Sequence, residues 1–460
     1  MRRTTAAIAT AAGIAVAVAA AVAAVAGGDP GQQQQDQLEA HSVQYFGVTS
    51  GLPSSSTQDI DDPNAAPLSF ATLAEGLSAR VVTSGVAAAN LDMGALWPVD
   101  NPRWLLYCNE QGPSDPGVQR VDLATGAAST ILTGVTSCDP LHVTPWGTVV
   151  LGEEASDGHL WEMVHPESIT GATVDRVTGA SSDPRVVRRD ALGAVAFEGF
   201  TFLASGVGYY GDELAPSAGA PGGAYHKFVP AHPRTGSTAV TDLADSPLTS
   251  GATYALKVGQ GSNTGQGMAQ GDGTWVPVTP NAAGSLRPAD RAAGATGYYR
   301  PEDLSLDEKA LAAGQVRFCG NNTGREQAHY YGETVCIADG AQSAATTNAA
   351  TPQVQLLVTG SRAYNMPDNI AFQPGRGNWI IHEDAETEFE GPHNNDLWSC
   401  LDDGTDNDLL SDGCLRIATL NDLDAEWTGG FFDPTGQHFY VSIQHNATGK
   451  GLVLDITGWR

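Results

Sequence analysis

Short apolar runs alternate with turn-forming residues along most of this chain, and no long helical pattern follows residue 66. Glycine, proline, aspartate and asparagine bound these runs, as is usual for short β-strands. Several runs repeat one unit: an apolar lead, a turn, and a second strand that ends in acidic or amide residues. The clearest units cover residues 95–110, 141–154, 370–384 and 430–445. The pattern predicts an all-β protein built from repeated hairpins.

Hairpins whose second strand ends in polar groups are typical of a β-propeller, where such strand ends face a central channel. A β-sandwich is the alternative, although its strands would repeat the full unit less. The length of 460 residues also suits a radial repeat, because each blade packs on its neighbours and no single core has to grow. We therefore expect residues 67–460 to form a β-propeller domain.

The first 66 residues have a different composition. Met1-Arg2-Arg3 precedes an uncharged run, rich in alanine and valine, that ends at Ala26, so residues 1–26 are predicted to be a signal peptide of the Sec or twin-arginine type. An uncleaved anchor is the alternative, because the run approaches the length of a membrane span. Residues 27–66 are predicted to be a flexible linker. We expect a secreted, periplasmic or cell-surface protein without a stable membrane partner.

Charge narrows the range of partners. The chain has 52 acidic and 23 basic residues, a formal net charge of −29, which argues against nucleic-acid binding. Such a surface attracts hard cations such as Ca²⁺. A surface kept acidic for solubility explains the overall charge equally well, so individual clusters have to decide.

Carboxylates recur at or beside the predicted strand ends. They are Glu153, Glu154, Glu198, Glu302, Asp368, Glu383 and Asp384. If these ends meet in one channel, the like charges are costly unless they hold cations. Oxygen-rich clusters favour Ca²⁺, Mg²⁺ or Mn²⁺, and a nearby thiolate or imidazole admits iron or zinc. His445 ends a strand that should face the channel and is a further candidate ligand, although each of these residues taken singly could be an ordinary solvated side chain.

Six cysteines in an exported chain suggest disulfides. The predicted bridges are Cys319–Cys336, across a hairpin, and Cys400–Cys414, around an acidic loop that could hold an accessory Ca²⁺. Cys108 and Cys138 are left over.

Five short segments, taken in chain order, resemble the PhoX-type alkaline phosphatases. They are Cys138 followed by Thr-Pro-Trp-Gly-Thr at 144–148 and Glu-Glu at 153–154, Arg-Pro-Glu at 300–302, Pro-Asp-Asn at 367–369, and Gln-His at 444–445. The resemblance extends from about Arg103 to Trp459. It implies a six-bladed propeller and an alkaline phosphatase with a mixed site of Fe³⁺ and Ca²⁺.

The resemblance also implies roles for individual residues. Cys138 would be a thiolate ligand of iron and would therefore be free of any disulfide. Glu198 and Glu302 would bridge metals and take part in catalysis, and Glu153 or Glu154 would bind calcium.

On the substrate side of the site, Arg300 would bind the phosphate and act in catalysis, while Asp368 would complete a calcium site. Asn322 and Arg325 would lie near the substrate. Physical chemistry supports this arrangement, since an arginine can donate two parallel hydrogen bonds to phosphoryl oxygens.

Three features depart from the resemblance. Phe197 stands where histidine is typical, Asp303 stands where many members have tryptophan, and Cys138 lies one residue too far from its Pro-Trp-Gly. These departures leave the fold prediction intact and weaken the expectation of an intact iron site.

The leading hypothesis is an exported, monomeric, metal-dependent phosphatase that hydrolyses small phosphate monoesters for phosphate scavenging. One alternative is a non-catalytic binding or scaffold propeller stabilised by calcium. Another is a calcium-dependent propeller esterase or lactonase. The state of Cys138 separates the first from the others, because calcium does not need a thiolate.

Overall fold

The computed structural model describes residues 30–259, 269–385, 393–402 and 411–460. The predicted signal peptide lies outside these ranges, as does most of the predicted calcium loop between Cys400 and Cys414. Within them, no helix is long and apolar enough to cross a membrane. The α-helices are α1 (Pro30–Ala40), α2 (Ser42–Phe46), α3 (Arg287–Ala293), α4 (Glu308–Ala312) and α5 (Gln342–Ala345). Short 3-10 helices cover Pro67–Phe70, Pro166–Ser168, Asp190–Leu192, Leu243–Asp245, Pro247–Thr249 and Glu326–Ala328.

Strands dominate the described chain, which confirms the all-β prediction. The first are β1 (Ala71–Leu73), β2 (Ser78–Ser84), β3 (Leu91–Trp97), β4 (Trp104–Asn109), β5 (Pro116–Asp122), β6 (Ala128–Thr133), β7 (Cys138–Val143), β8 (Val149–Glu153), β9 (Leu160–Met163), β10 (Ala172–Asp175), β11 (Ala180–Ser181) and β12 (Val186–Arg188). The middle ones are β13 (Phe200–Phe202), β14 (Gly208–Gly211), β15 (Tyr225–Pro230), β16 (Gly251–Val258), β17 (Gly271–Val278), β18 (Pro301–Leu306), β19 (Gln315–Asn322), β20 (Glu333–Ala341) and β21 (Gln353–Thr359). The last are β22 (Pro367–Phe372), β23 (Trp379–Glu383), β24 (Asp396–Cys400), β25 (Cys414–Leu420), β26 (Glu426–Phe432), β27 (Phe439–Gln444) and β28 (Leu452–Thr457).

The four sequence units form antiparallel hairpins, namely β3–β4, β7–β8, β22–β23 and β26–β27. Strands β8, β23 and β27 are buried along their whole length because neighbouring sheets cover both of their faces, which explains their continuous apolar runs. Gly375 and Gly436 turn two of these hairpins at φ of 75° and 69°, a conformation that glycine adopts without steric cost.

The strands form five hydrogen-bonded sheets. Four of them run in the orders β1-β25-β24-β23-β22, β11-β10-β6-β5-β4-β3, β12-β9-β8-β7 and β2-β28-β27-β26. The fifth has nine strands and combines two antiparallel stretches, β13–β17 and β18–β21, which are joined where β17 pairs with β21 over two residue pairs.

Six strands, which we call the inner strands, contact one another in turn around a ring. The contacts are β3 with β7, β7 with β13, β13 with β18, β18 with β22, β22 with β26, and β26 with β3. Strand β2, from the beginning of the domain, completes the sheet of the last hairpin by pairing with β28. The ring is thereby closed without a covalent link. This is a propeller-like arrangement, as predicted, and not a two-sheet sandwich.

Residues 30–66 differ from the expected flexible linker in their described part. Leu38, Phe46 and Val48 are buried in the apolar cluster formed by the sheets of β22–β25 and β26–β28. The backbone N–H groups of Leu52 and Ile60 donate to carbonyls of β25 and of the loop after it, at 2.9 Å each. The segment is a packed arm because its few apolar side chains complete that core.

All six cysteines form disulfides. The predicted bridges Cys319–Cys336 and Cys400–Cys414 are confirmed, and each joins directly opposed residues of neighbouring strands. The third bridge joins Cys108 in β4 to Cys138 in β7. The prediction that Cys138 is a free thiolate is therefore wrong.

Candidate metal centre

Acidic residues recur where the inner strands begin. Asp92, Asp139, Glu302, Asp368 and Glu426 occupy the first or second position of β3, β7, β18, β22 and β26. Glu198 lies two residues before β13. Because these strands form the central ring, their first residues lie together at one end of it. All but Glu302 line a single cavity of about 810 Å³, and Glu302 is fully buried beside it.

Four inner strands reach the cavity through the same backbone geometry. The residue before β3, β7, β18 and β22 is Asn90, Ser137, Arg300 and Met366, with φ of 53°, 39°, 56° and 49°. Residues other than glycine adopt this left-handed conformation at a cost of ~1–2 kcal/mol. The pairing register also shifts within the first four residues of each of these strands. Such irregularities re-aim side chains, so their repetition indicates that each strand start is shaped to present its acid.

The second strand of each hairpin adds a residue just beyond its end. Glu110, Glu154, Asp384 and His445 directly follow β4, β8, β23 and β27, and all four line the same cavity. The expected convergence of strand ends is therefore present for Glu154, Asp384 and His445.

The carboxylates form three groups whose ligand atoms lie within 4.8 Å of one another. The groups are Asp139 with Glu154 and Glu198, Glu198 with Glu302 and Asp368, and Asp368 with Asp384 and Glu426. Glu198 belongs to the first two groups and Asp368 to the last two. The groups therefore form one connected row, in which Glu198 and Asp368 are each shared by two neighbouring groups.

Four carboxylate oxygens in this row are buried and have no hydrogen-bond partner among the described residues. They are Oδ1 of Asp139, Oε2 of Glu198, Oε2 of Glu302 and Oδ1 of Asp368, in residues at most 8% exposed. Buried polar atoms are normally paired. Cations would satisfy these oxygens, and oxygen ligands at this spacing suit Ca²⁺ and similar hard ions.

Asp92 holds the equivalent position in β3 but is already paired. Thr428 Oγ1 donates to its Oδ1, and Gln444 Nε2 donates to its Oδ2 at 3.1 Å. Gln444 Nε2 also donates to Glu110 Oε2 at 3.2 Å. Hydrogen bonds between side chains therefore satisfy the carboxylate of Asp92, whereas Asp139 and Asp368 each keep one oxygen without a hydrogen-bond partner among the described residues.

The electrostatics of the row support this interpretation. Burial raises the pKa of Glu302 to about 8, even though Arg300 opposes the shift. Burial and the neighbouring carboxylates Asp139 and Glu154 raise the pKa of Glu198 well above its usual value. Burial and the charge of Glu302 do the same for Asp368. The row cannot carry its full negative charge at neutral pH unless cations compensate it.

Two arginines face the same cavity. Arg300 Nε donates to Glu213 Oε1 at 2.6 Å and lies 3.4 Å from Glu302 Oε1. Arg325 is exposed at the cavity rim, where its Nη1 donates to the carbonyl of Pro216 at 3.2 Å. Both ion-pair contacts described for Arg300 use Nε, so its terminal Nη groups are the ones placed to meet an oxyanion.

The Cys138 side chain lies outside the cavity, on the face of β7 opposite to that of its neighbour Asp139. Adjacent residues of a strand point to opposite faces. Asp139 faces the cavity, so the Cys138 side chain faces the sheet core, where it joins Cys108 and packs with Leu106 and Leu141. The carboxylate of Asp139, and not the thiolate of Cys138, belongs to the cluster.

The same alternation separates Glu153 from Glu154. Glu153 is fully buried away from the cavity, where it accepts from Arg176 Nε at 2.8 Å and from the backbone N–H groups of Thr136 and His159. Of the two residues, the structure brings only Glu154 to the cluster. Glu383 is also turned away, and its carboxylate accepts from the backbone N–H groups of Asn365 and Asp396.

Asn322 does not line the cavity, in contrast to the expected contact with substrate. Its Nδ2 donates to Glu333 Oε1 at 3.0 Å, and its Oδ1 accepts from Tyr225 at 3.0 Å. Both ends of the amide are therefore engaged by neighbouring side chains, Glu333 and Tyr225, where β19 ends.

The two side chains that depart from the resemblance are structural. Phe197 is fully buried and packs on Tyr210 with ring centroids 5.3 Å apart. Asp303 accepts from the backbone N–H of Ile370 at 3.2 Å and so ties β18 to β22. Neither side chain lines the cavity.

Sequence reasoning did not select Asp92, Glu110, Asp139 or Glu426 for the site. Three of these four, Asp92, Asp139 and Glu426, lie at the start of the first strand of a hairpin, whereas the unit repeated along the sequence draws attention to the acids that end the second strand. The available signal was an acid two or three residues before each apolar lead, as in Asp139-Pro-Leu and Glu302-Asp-Leu.

Fold and site together define the class as a β-propeller whose axial cavity can hold cations beside two arginines. The family model described as alkaline phosphatase PhoX matches residues 130–447, more than half of the chain. The chain therefore belongs to the PhoX alkaline phosphatase family and is a phosphatase enzyme.

One solved structure shares the fold, and a second has a weaker similarity. The Pseudomonas fluorescens PhoX structure, in complex with vanadate as a transition state analogue, superposes with a TM-score of 0.62 at 15% identity and covers 87% of this chain and 98% of that chain. The PQQ-bound aldose sugar dehydrogenase from Streptomyces coelicolor has a TM-score of 0.42 at 13% identity, covering 85% of this chain and 99% of its own. No curated protein sequence matches the chain.

Proposed function

We propose that this phosphatase is exported, depends on metal ions held by the carboxylate row, and hydrolyses small phosphate monoesters for phosphate scavenging. One observation carries the proposal: four buried carboxylate oxygens, which have no hydrogen-bond partner in the described part of the chain, lie near Arg300 in or beside a cavity large enough for an organic phosphate. The family membership supports the reaction class, and the proximity of these carboxylates to Arg300 supports the choice of residues.

Cations bound here would neutralise the phosphoryl oxygens and activate a water molecule. Glu198 and Glu302 would hold those cations at the centre of the row, and Asp368 would connect them to the group of Asp384 and Glu426. Arg300 would donate its terminal N–H groups to the phosphoryl oxygens, while its Nε stays fixed by Glu213. A preorganised donor of this kind costs no reorganisation during the reaction.

Two residues at the edge of the site have supporting roles in the proposal. Arg325, at the rim, would attract the anionic substrate and contact it on entry. His445 Nδ1 lies 3.2 Å from Glu426 Oε1, so the imidazole could either complete the third carboxylate group as a ligand or hold Glu426 in place.

Calcium is the cation that the donor set favours, because every carboxylate group offers hard oxygen ligands. The Fe³⁺ implied by the resemblance would have to bind without the Cys138 thiolate, which is part of a disulfide. We propose Ca²⁺ as a constituent of the site and leave iron to metal analysis.

Three expectations about the whole protein belong to this proposal. Counting the nine-stranded sheet as two blades, β13–β17 and β18–β21, gives six blades in all. Export through the N-terminal segment and a monomeric state complete the picture of an enzyme that works alone outside the cytoplasm.

The test is hydrolysis of a simple phosphomonoester at alkaline pH, with metal analysis of each variant. Glu198→Gln and Glu302→Gln should lose activity and bound metal together, because each removes a charge that holds the cations. Glu308→Gln, an exposed glutamate at the start of α4, is the matched control and should retain both. Full activity in either site variant would refute the assigned roles, and a metal-loaded but inactive wild type would favour a calcium-stabilised scaffold. Activity on carboxylic esters or lactones alone would favour the esterase alternative.

A further inference from the structure

Strand β7 begins with Cys138 followed by Asp139, and other inner strands begin in the same way, with a buried residue followed by an acid. In β3, β18 and β22 the first residue is Leu91, Pro301 or Pro367, and the acid follows it. Leu91 is fully buried in the core between sheets, just as Cys138 is. Position one therefore belongs to the sheet core and position two to the cavity. By this register, the cavity position of β7 is filled by Asp139.

The bridge from Cys108 to Cys138 fixes this assignment. It joins β4 to β7, which belong to different sheets, whereas the other two disulfides join neighbouring strands within one sheet. Both sulfur atoms are consumed, and the chain has no free cysteine. The bridge also braces the start of β7 against the preceding sheet, one residue before Asp139.

Asp139 has the properties of a ligand. It is 3% exposed, its Oδ1 has no hydrogen-bond partner among the described residues, and it forms a group within 4.8 Å with Glu154 and Glu198. These are three oxygen donors at the position where a thiolate would otherwise enter. A set without sulfur selects hard cations and has no preference for a metal that needs a soft ligand.

We propose that Asp139 is a metal ligand that replaces the thiolate, so that the centre is ligated without sulfur and binds hard cations such as Ca²⁺ through carboxylates. This inference rests on the proposed function only for the presence of metal. Its tests concern the ligand atoms and can therefore fail independently of phosphatase activity.

The first test is spectroscopic and uses the whole folded protein. Chelated wild type is loaded with Fe³⁺ and compared with Asp139→Cys treated in the same way. The variant is made in the wild-type background and in a Cys108→Ser/Cys138→Ser background, where the new thiol has no disulfide with which to exchange. The variant should gain a visible thiolate-to-iron charge-transfer band, and the wild type should show none. Such a band in the wild type would overturn the proposal, and so would its absence from a variant that binds iron.

The second test compares metal content per folded protein. Asp139→Asn should bind Ca²⁺ at least ~10-fold more weakly, because loss of a direct ligand should cost no less than the ~10- to 100-fold that follows loss of an outer-shell partner. Cys108→Ser/Cys138→Ser should keep the wild-type metal content, and Asp100→Asn, on the exposed surface, is the matched control. If Cys108→Ser/Cys138→Ser lost its metal while Asp139→Asn bound metal normally, Cys138 would be the ligand and the proposal would be refuted. If the serine variant does not fold, mapping of the wild-type disulfides decides: a free Cys138 thiol would refute the proposal.

Discussion

Arg300→Ala separates substrate binding from metal binding more cleanly than any other single change. The Arg300 side chain is 30% exposed, and its Nε is held by Glu213, which leaves two terminal nitrogens for the phosphoryl group. Loss of one preorganised electrostatic donor typically costs ~2.7–4 kcal/mol in the transition state. Partial exposure reduces this figure through solvent screening, so we expect a loss of about 2–4 kcal/mol, or roughly 30- to 1,000-fold in kcat/KM.

The assay follows phosphomonoester hydrolysis together with bound metal and inhibition by inorganic phosphate. Arg300→Ala should retain its metals, because arginine is not a ligand, while phosphate inhibits it less strongly. Arg300→Lys should recover only part of the activity, since lysine restores the charge but not the planar fork. Arg291→Ala, an exposed arginine at the end of α3, is the control. Full activity in Arg300→Ala would refute the phosphate-binding role, and simultaneous loss of metal would show that Arg300 acts by holding the cluster.

Three further outcomes are expected. Glu154→Gln should lower metal content without loss of stability, whereas Glu153→Gln should keep its metals and lose about 1 kcal/mol of unfolding free energy with its buried ion pair. Metal analysis and urea unfolding of both variants distinguish these outcomes, and the reverse pattern would contradict the assignment. Chelated protein should become less stable as pH rises from 5 to 9. A carboxyl such as Glu302, with its pKa raised to about 8, stabilises the fold while it is protonated and loses that contribution as it ionises. A free energy of unfolding that stays constant or rises over this range would argue against the buried row. Cys400→Ser/Cys414→Ser should lower stability by about 3 kcal/mol, as expected for a loop of this length, and an unchanged unfolding midpoint would contradict the bridge.

Local pattern was sufficient to predict the hairpins and two of the disulfides. The apolar runs around Trp104, Trp379 and Phe439 became β4, β23 and β27 because their residues suit strands buried on both faces. Cys319 and Cys336 could be paired because they flank one hairpin.

The sequence does not show which residues of each strand face the cavity and which face the sheet core. A shift of one residue exchanges the faces of every side chain, and the irregular starts of β7 and β22 obscure the count. Two adjacent residues, such as Cys138 and Asp139 or Glu153 and Glu154, therefore cannot be told apart from the sequence, although only one of each pair lines the cavity.

The N-terminal arm was missed for a different reason. Its glutamine- and serine-rich composition resembles a linker, yet Leu38, Phe46 and Val48 are buried in the core. An average composition over 40 residues does not reveal three apolar residues at the right positions.

The most direct test of the central claim is a calcium titration of chelated protein that follows bound metal and phosphomonoester hydrolysis in the same samples. The carboxylate row predicts that chelation abolishes hydrolysis and that activity returns in proportion to occupancy of the row. Undiminished hydrolysis by metal-free protein, or full occupancy without hydrolysis, would contradict the account.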